Sequence, residues 1–314
     1  MPRDDFYHTI TQKIVEQLSQ GVRPWQCPWN ATSAFGPPSR PLRSNGKRYS
    51  GVNVLVLWIE SQLRGFSIPV WITFRQAKEF GGYVKKGEKA TTVVYANSFE
   101  KTETDADTGE EQKRNIPFLR AYSVFNVDQI TGLPEHFYAR QQSSRKLEER
   151  LDSAEEFFKA FPIEKRSGGN RAYYSSSEDY IQLPPYDSFA NRSSFYATMA
   201  HESIHATGSP KRLNREFGKR FGDQQYAFEE LIAELGSAFL CADLSITPEV
   251  MPEHGQYLQT WLSILKADSK ALFTAASQAS RAVEYLHGLQ PLSEATVETL
   301  EQDATLQEAT KQIA

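Results

Sequence analysis

Apolar residues recur at helical spacing near the start of the chain. Four of them lie four residues apart before Gly21, which predicts an amphipathic helix over about residues 4–20. These positions are Phe6, Ile10, Ile14 and Leu18. A second helix is predicted from Gly51 to Arg64. Residues 21–46 are rich in Pro, Ser, Gly and Arg, which is typical of a long binding loop.

Strand patterns follow the second predicted helix. Trp71 to Phe74 predicts a short strand, and a helical turn then ends at Phe80. Another strand is predicted from Ala90 to Tyr95, with Phe118 to Val127 as the returning strand. Residues 100–114 are polar and acidic, which predicts an exposed hairpin loop. The first half is therefore predicted to be α+β, with helices before a small antiparallel sheet.

Helical periodicity dominates the second half. Helices are predicted over residues 193–207, 225–243, 255–265 and 268–287. Tyr180 to Pro184 alternates and ends in two prolines, which indicates an edge strand. Such an edge is expected to align an extended peptide by β-addition. The fold class is thus α+β throughout, with a second domain that is mostly helical and carries a small sheet.

The predicted domain organisation follows the composition. A charged and polar stretch at residues 138–152 marks a linker between two domains. We therefore predict a first domain at residues 1–137 and a second at 153–290. Residues 291–314 contain five acidic residues and one lysine, and they form a predicted acidic tail.

Composition narrows the class of protein. The chain has 314 residues and is 39% apolar, which is enough for packed cores. No apolar run approaches the roughly 18 residues of a membrane span, and the first residues lack the apolar stretch of a signal peptide. Cys27 and Cys241 lie far apart, which favours reduced thiols. A cytoplasmic protein without membrane association is expected, and the oligomeric state is not indicated.

Charge is distributed unevenly. The chain carries a net charge of -4, but residues 21–98 hold eleven basic and three acidic residues, or +8. The rest of the chain is therefore -12. This asymmetry indicates a polyanion-binding region attached to an acidic partner domain, and the alternative is a solvated basic surface.

The strongest chemical signal is the H-E-x-x-H motif of His201, Glu202 and His205. On a helix, histidines four residues apart share a face and can bind one metal ion. Glu202 follows the first histidine directly, where it can accept a proton from a metal-bound water. The pattern predicts a zinc hydrolase site, although the same ligands also accept manganese or cobalt.

Two histidines leave a tetrahedral site short of a ligand, so an acidic residue downstream is required. Glu230 is the first candidate, on a predicted apolar helix. Glu229 is the alternative, because a phase error of one residue is easily made from sequence. Glu234 shares the face of Glu230 and is predicted to accept an imidazole N–H. Further alternatives are a purely structural metal, or an exposed acidic helix beside a chance motif.

His254 and Tyr257 lie further downstream, about one helical turn apart. Zinc peptidases often place a His or Tyr opposite the metal, where it stabilises the oxyanion. Both residues are therefore catalytic candidates. The alternative is a surface histidine beside a packed tyrosine.

Aromatic and basic residues alternate in the first half, a combination that suits single-stranded nucleic acid. For Trp25 and Trp29, stacking on bases and packing in the core both remain open. The candidates that this pattern selects are Arg23, Trp25, Trp29, Arg43, Asn45, Lys47, Arg48, Tyr49, Trp71, Lys85, Lys86 and Lys89.

The second half resembles gluzincin-type zinc peptidases, because one predicted helix carries the H-E-x-x-H motif and the next carries Glu230 and Glu234. Taken with several segments of the first half, nearly the whole chain to about residue 288 resembles ArdC-type antirestriction proteins, and TraC-type plasmid primases carry a similar first domain. The segments that carry the likeness are Arg23–Trp25, Asn45–Gly46, Tyr49–Asn53, Trp71–Gln76, Gly82–Gly87 and Phe125–Ile130.

This resemblance implies single-stranded DNA binding by the first domain and a SprT-like metallopeptidase fold in the second. It adds Asn53, Arg75 and Gln76 to the candidate DNA contacts. The implied role is protection of incoming plasmid DNA from host restriction during conjugation. Alternatives are a DNA-coating module with a silent metal domain, and a DNA-associated zinc protease that cleaves an unidentified host protein.

Overall fold

The computed structural model describes residues 3–25, 39–104, 111–138, 147–216, 224–247 and 257–291. Over these residues, helices and small sheets mix, as the predicted α+β class requires. The helices are α1 (Arg3–Ser19), α2 (Val52–Arg64), α3 (Phe74–Glu79), α4 (Leu147–Lys159), α5 (Arg192–Thr207), α6 (Gln224–Asp243), α7 (Leu258–Ala267) and α8 (Ala271–Gly288). The strands are β1 (Trp71–Thr73), β2 (Tyr83–Val84), β3 (Thr91–Thr104), β4 (Glu111–Asn126), β5 (Ile130–Thr131), β6 (Glu164–Ser167), β7 (Tyr173–Ser175) and β8 (Tyr180–Leu183).

The first half places α1 and α2 beside a three-stranded antiparallel sheet in the order β1–β4–β3. β2 and β5 form a separate antiparallel pair. The two helices predicted before the sheet are confirmed to within one or two residues at their ends. Helix α3 follows β1 directly because Thr73 and Gln76 form a capping box, in which each side chain binds the other residue's backbone N–H.

The predicted exposed loop at residues 100–114 is wrong for most of its length. β3 continues to Thr104 and pairs with β4 from Glu111, so the two strands form a long ribbon. The polar composition misled the prediction, because backbone hydrogen bonds between strands do not require an apolar face. Only residues 105–110 of this stretch lie outside the described residues.

The second half packs helices α4–α8 around a three-stranded sheet in the order β6–β8–β7. β8 is the central strand, parallel to β6 and antiparallel to β7, so the predicted edge strand at Tyr180 to Pro184 is wrong. Its backbone is hydrogen-bonded on both sides and is not available for a bound peptide. None of the described helices combines the length and the apolarity needed to cross a membrane.

A large apolar core extends through both halves, and a smaller one around Ile72 and Leu133 lies in the first half. Trp25 lies edge to face with Trp261, with ring centroids 6.1 Å apart. Arg40 donates two hydrogen bonds of 2.7 and 2.6 Å to Asp243, whose side chain is fully buried. Helix α4 begins at Leu147, inside the predicted linker. The boundary at residues 138–152 therefore stays a prediction, and the two halves share one interior.

Candidate metal centre and nucleic-acid interface

Helix α5 carries the H-E-x-x-H motif into the interior of the second half. Its N-cap is Asn191, whose side-chain oxygen accepts a hydrogen bond of 2.9 Å from the backbone N–H of Ser194. His201 and Glu202 are buried, and the His205 side chain is only 11% exposed. Because residues four apart share a helix face, the two imidazole rings lie edge to face with centroids 4.7 Å apart.

Glu230 on α6 faces the two imidazoles. The Nε2 atoms of His201 and His205 are 3.1 Å apart. The Glu230 oxygens lie 3.6 Å from His201 Nε2 and 3.5 Å from His205 Nε2. Within the described part of the chain, these three residues form the one group of His, Cys, Asp or Glu whose potential ligand atoms all lie within 4.8 Å of one another.

These separations fit a bound divalent cation. In a tetrahedral site with bonds of about 2.0–2.1 Å, ligand atoms lie roughly 3.3–3.4 Å apart. The distances of 3.1, 3.5 and 3.6 Å lie around that value. Two imidazole nitrogens and one carboxylate form the donor set of many zinc hydrolases and leave a fourth position for water or substrate.

Glu229 binds the opposite side of His205. Its Oε1 lies 3.2 Å from His205 Nδ1. Arg215 holds the same carboxylate through bonds of 2.7 Å from Nη2 and 3.0 Å from Nε. A step of one residue on an α-helix turns the side chain by about 100°. The structure therefore does not favour the alternative with Glu229 as third ligand, and gives it the role of orienting His205.

Burial and opposite charges act against each other in this cluster. Burial lowers the pKa of His205, but the carboxylates of Glu230 and Glu229 outweigh burial and raise that pKa to about 10. Burial raises the pKa of Glu230, but the facing imidazoles of His205 and His201 outweigh it and hold that pKa below its usual range. A metal cation can replace the proton on the His205 imidazole as the positive charge that faces these carboxylates. Metal binding is therefore expected to release protons.

The structure corrects the predicted role of Glu234. Its Oε1 accepts hydrogen bonds of 3.2 Å from Arg23 Nη1 and 3.3 Å from Trp25 Nε1. The acceptor for the imidazole of His205 is Glu229 instead. Sequence spacing placed Glu234 on the Glu230 face, but it could not show that a loop from the first half reaches this carboxylate.

Tyr257 lies at the start of α7 and is 6% exposed. Its ring centroid is 6.0 Å from that of Tyr226. Burial, and next the charge of Glu230, raise the pKa of the Tyr226 hydroxyl. Sequence reasoning missed Tyr226, although its spacing of four residues before Glu230 places the two on one helix face. His254, the other catalytic candidate, lies outside the described residues.

Close packing brings α6 against α5. A Cβ atom added at Gly236 would lie 2.9 Å from the Cγ2 atom of Ile204 and 3.0 Å from its Cδ1 atom. Any larger residue at position 236 would therefore push the helices apart. This contact helps to set the distance between Glu230 on α6 and the histidines on α5.

Three aromatic residues among the candidate DNA contacts lie in the interior. Trp25, Trp71 and Tyr49 are 0%, 1% and 2% exposed. Trp71 packs edge to face on Phe66, with ring centroids 5.6 Å apart. A buried ring cannot stack on a base, so the structure corrects the prediction for Trp71 and Tyr49 and selects core packing for Trp25. Trp29 lies outside the described residues.

Three polar candidates also hold the fold together. The Asn53 side chain exchanges two hydrogen bonds of 2.7 and 2.8 Å with the Val94 backbone, which joins α2 to β3. Gln76 caps α3, and Arg23 binds Glu234. The sequence pattern around these residues is compatible with DNA contact or with a structural role. Only their hydrogen-bond partners in the folded chain show the structural role.

The remaining described candidates lie at or near the surface. Arg43 is half-buried over the Tyr49 ring, and Arg48 is 47% exposed while it pairs with Asp243 at 2.9 Å. Asn45 closes a turn by accepting a 3.1 Å bond from the Lys47 N–H. The exposed residues of this set are Asn45, Lys47, Arg48, Arg75, Lys85, Lys86 and Lys89.

Two known families match separate parts of the chain. The N-terminal domain of anti-restriction factor ArdC matches residues 4–125. A zincin-like metallopeptidase family matches residues 152–278. The second match contains all three residues of the metal cluster.

Solved structures and curated relatives extend this likeness along the chain. The crystal structure of the antirestriction ArdC protein from the R388 plasmid is 42% identical in its metal-free form, with a TM-score of 0.74 over 91% of this chain and 97% of that one. An Mn(II)-bound structure of the same protein is 38% identical, with a TM-score of 0.74 over 90% of this chain and 97% of that one. Protein y4eC of Sinorhizobium fredii, strain NGR234, is 35% identical over 91% of this chain and 92% of its own length. The DNA primase TraC of Escherichia coli is 33% identical over 98% of this chain, which spans only 30% of the primase.

Proposed function

Because the chain belongs to the ArdC family of antirestriction proteins, we propose that it binds single-stranded DNA and protects incoming plasmid DNA from host restriction during conjugation. The site of action is the cytoplasm of the recipient cell. The observation that carries the proposal is the cluster of His201, His205 and Glu230. It lies in the second half, which shares one apolar core with the first half and its basic segment. In this proposal, a basic nucleic-acid surface and a metal centre belong to two halves that share one apolar core.

We assign zinc to the cluster, with manganese and cobalt as other ions that the same donors accept. When bound, such an ion lowers the pKa of a water molecule and polarises a peptide carbonyl. His201, His205 and Glu230 would hold it. Glu229 orients His205 by accepting its Nδ1 proton, and this fixes the tautomer whose Nε2 faces the ion.

Glu202 supplies the general base in this proposal. It is 5% exposed and follows the first histidine, so little solvent competes for the proton that it accepts from the attacking water. Tyr257 lies beside Tyr226, and their hydroxyl groups are donors for the oxyanion that develops on a cleaved carbonyl. A structural metal site has no need of a buried glutamate in that place, which favours a peptidase.

A Glu202→Gln variant tests the proposal, since it keeps the shape of the side chain and removes the base. We expect it to retain metal and DNA binding and to lose cleavage of a protein substrate. Its antirestriction activity, measured as survival of conjugated plasmid in a restricting host, should fall to the level of a strain without the protein. Glu284→Gln, at an exposed position on α8, is the matched control and should behave as the wild type.

Full antirestriction activity in the Glu202→Gln variant would contradict a protective peptidase. The function would then be DNA coating, with a catalytically silent metal domain. The expected loss of both cleavage and protection would show that the peptidase carries the protection. The second candidate function is a DNA-associated zinc protease that cleaves a host protein, and cleavage of a host protein by a variant that no longer binds DNA would favour it.

A further inference from the structure

We propose that Phe74 and Tyr83 are the rings on which this protein stacks the bases of single-stranded DNA, with Lys78, Lys85 and Lys86 binding the phosphates. These five residues of α3 and of the segment containing β2 form what we call the α3–β2 surface. The inference rests on the proposed DNA binding and gives it a location. It replaces the buried tryptophans with side chains that a strand of DNA can reach.

Exposure selects these two rings. Phe74 is 60% exposed and Tyr83 is 73% exposed, whereas Trp25 and Trp71 are buried. Large aromatic side chains normally contribute to the core, so exposed rings grouped in one part of a fold indicate a binding surface. Phe80, at the end of α3, adds a third ring that is 37% exposed.

Local hydrogen bonds and close packing hold the backbone that presents the rings. The capping box of Thr73 and Gln76 fixes the start of α3, where Phe74 lies. Tyr83 belongs to β2, which pairs with β5. Between them, a Cβ atom added at Gly82 would lie 2.6 Å from Leu133 Cδ2, so this turn packs tightly on the small core beneath it. A ring held in place before binding loses less conformational entropy when a base stacks on it.

Charge complements the rings. The two acidic residues among positions 74–89 are already engaged, since Glu79 binds Arg75 at 2.8 Å and Glu88 binds Arg64 at 3.0 Å. Lys78, Lys85 and Lys86 are exposed, and none of them forms an ion pair with another described residue. Lys85 donates one bond of 2.8 Å to the Asp128 carbonyl, which fixes the position of its ammonium and leaves two donors.

The surface continues towards another basic turn. Gln76 Nε2 donates a 3.1 Å bond to Ser44 Oγ, which places the turn containing Asn45 and Lys47 beside α3. Rings for the bases and ammonium groups for the phosphates therefore occur together. This combination is typical of proteins that bind single strands without reading their sequence.

The test uses full-length metal-loaded protein and a fluorescent thymidine 12-mer, with binding followed by anisotropy. Phe74→Ala and Tyr83→Ala should each weaken binding by about fivefold to a hundredfold, the range expected for loss of one stacked base. Phe74→Leu and Tyr83→Leu should weaken it similarly, because leucine keeps apolar bulk but has no ring face. Phe74→Tyr and Tyr83→Phe should bind like the wild type, which also shows that the position tolerates substitution.

Controls come from the second half. Tyr173→Ala removes a ring that is 44% exposed on β7, and Lys266→Ala removes an exposed cation on α7. Neither should change affinity by more than twofold. The Lys85→Ala, Lys86→Ala double variant should reduce the slope of log affinity against log salt by about 1.4, or 0.7 for each lost phosphate contact.

Different results would overturn the α3–β2 surface and the proposed DNA binding. If the wild type binds the 12-mer but the Phe74→Ala and Tyr83→Ala variants match the Tyr173→Ala control, the α3–β2 surface is overturned and DNA binding stands. If Phe74→Ala and Tyr83→Ala weaken binding to a 12-base-pair duplex as much as binding to the single-stranded 12-mer, base stacking on these rings is overturned. A wild type that binds no single strand would overturn the proposed function and this inference together.

Discussion

Arg215 and Glu229 form a bidentate ion pair inside the second half of the molecule. Both side chains are only 4% exposed, and the two bonds measure 2.7 and 3.0 Å. Arg215 also donates to the carbonyl of Ile204 at 2.7 Å and to the hydroxyl of Thr207 at 2.8 Å. The pair thus fixes Glu229 against the end of α5, one hydrogen bond away from the imidazole of His205.

Replacing Arg215 by Ala should therefore weaken metal binding, although Arg215 touches none of the three ligands of the ion. Loss of a residue that supports a metal ligand typically lowers metal affinity by about 10–100-fold. Competition for Zn²⁺ with a chromogenic chelator measures the change. Arg171→Ala is the control, at an exposed arginine in the same half. Unchanged affinity in folded Arg215→Ala protein would show that Glu229 needs no support.

Asp243 links the two halves through a buried charge. Arg40 and Arg48 both contact its carboxylate, and so does His287 at 2.9 Å. Arg40→Ala should destabilise the protein by about 3–5 kcal/mol, because it leaves a buried charge without its main partner. Arg75→Ala, at an 89% exposed arginine paired with Glu79, should cost less than about 1 kcal/mol.

Urea unfolding of these variants gives the free energies. The Arg40→Ala, Asp243→Asn double variant should lose less than the sum of the single variants, because the unpaired charge is gone. Additive losses would mean that the two residues stabilise the fold independently.

Asp179 should make stability depend on pH in the acid range. The Arg212 guanidinium, which donates to its carboxylate, holds the pKa of Asp179 at about 2, below the ordinary value of 3.8. A depressed pKa contributes stability above pH 3.8 and loses it as the pH falls through 2. The contribution near neutral pH is about 1 kcal/mol, because solvent screens a pair so close to the surface.

The Asp179→Asn variant isolates this effect, since asparagine also tolerates the left-handed backbone at position 179, where φ is +61°. We expect it to be less stable than the wild type at pH 7, with the gap narrowing as the pH falls from 5 towards 2. Asp152→Asn, at a side chain 68% exposed, is the control. A gap that does not vary with pH would contradict the assigned pKa.

Gly236 should tolerate alanine poorly. The added methyl group would meet Ile204 at 2.9 Å in a packed interior, and such overpacking typically costs about 1–3 kcal/mol. Thermal unfolding of Gly236→Ala, Ile204→Ala and the double variant measures the coupling. The double variant should be more stable than the sum of the two losses predicts, because Ile204→Ala makes room for the methyl group. Gly288→Ala, where nothing lies within 4 Å of the added atom, is the control.

Local patterns in the sequence predicted the helices well, and they selected three residues whose potential ligand atoms the structure brings together. His201, His205 and Glu230 belong to two helices whose periodicity is clear, and helix geometry alone places side chains four residues apart on one face. The choice between Glu229 and Glu230 depends on the rotation of α6 about its axis. That rotation is set by packing against α5, which a single sequence does not reveal.

Long-range partners explain most of the errors. Trp25 lies in a loop sequence that suits a binding residue, yet it is buried because α6 and Trp261 from the second half cover it. The central position of β8 likewise depends on β6 and β7 pairing with it from both sides. Such tertiary contacts override local preference, and local sequence patterns do not show them because the partners lie far apart in the chain.

The most direct test of the metal centre is anomalous diffraction from crystals grown with Zn²⁺, recorded on both sides of the zinc absorption edge. We expect one strong peak about 2.0–2.2 Å from His201 Nε2, His205 Nε2 and a carboxylate oxygen of Glu230, with Glu229 still bound to Arg215. A peak bonded to Glu229, or no peak at the two histidines, would contradict it.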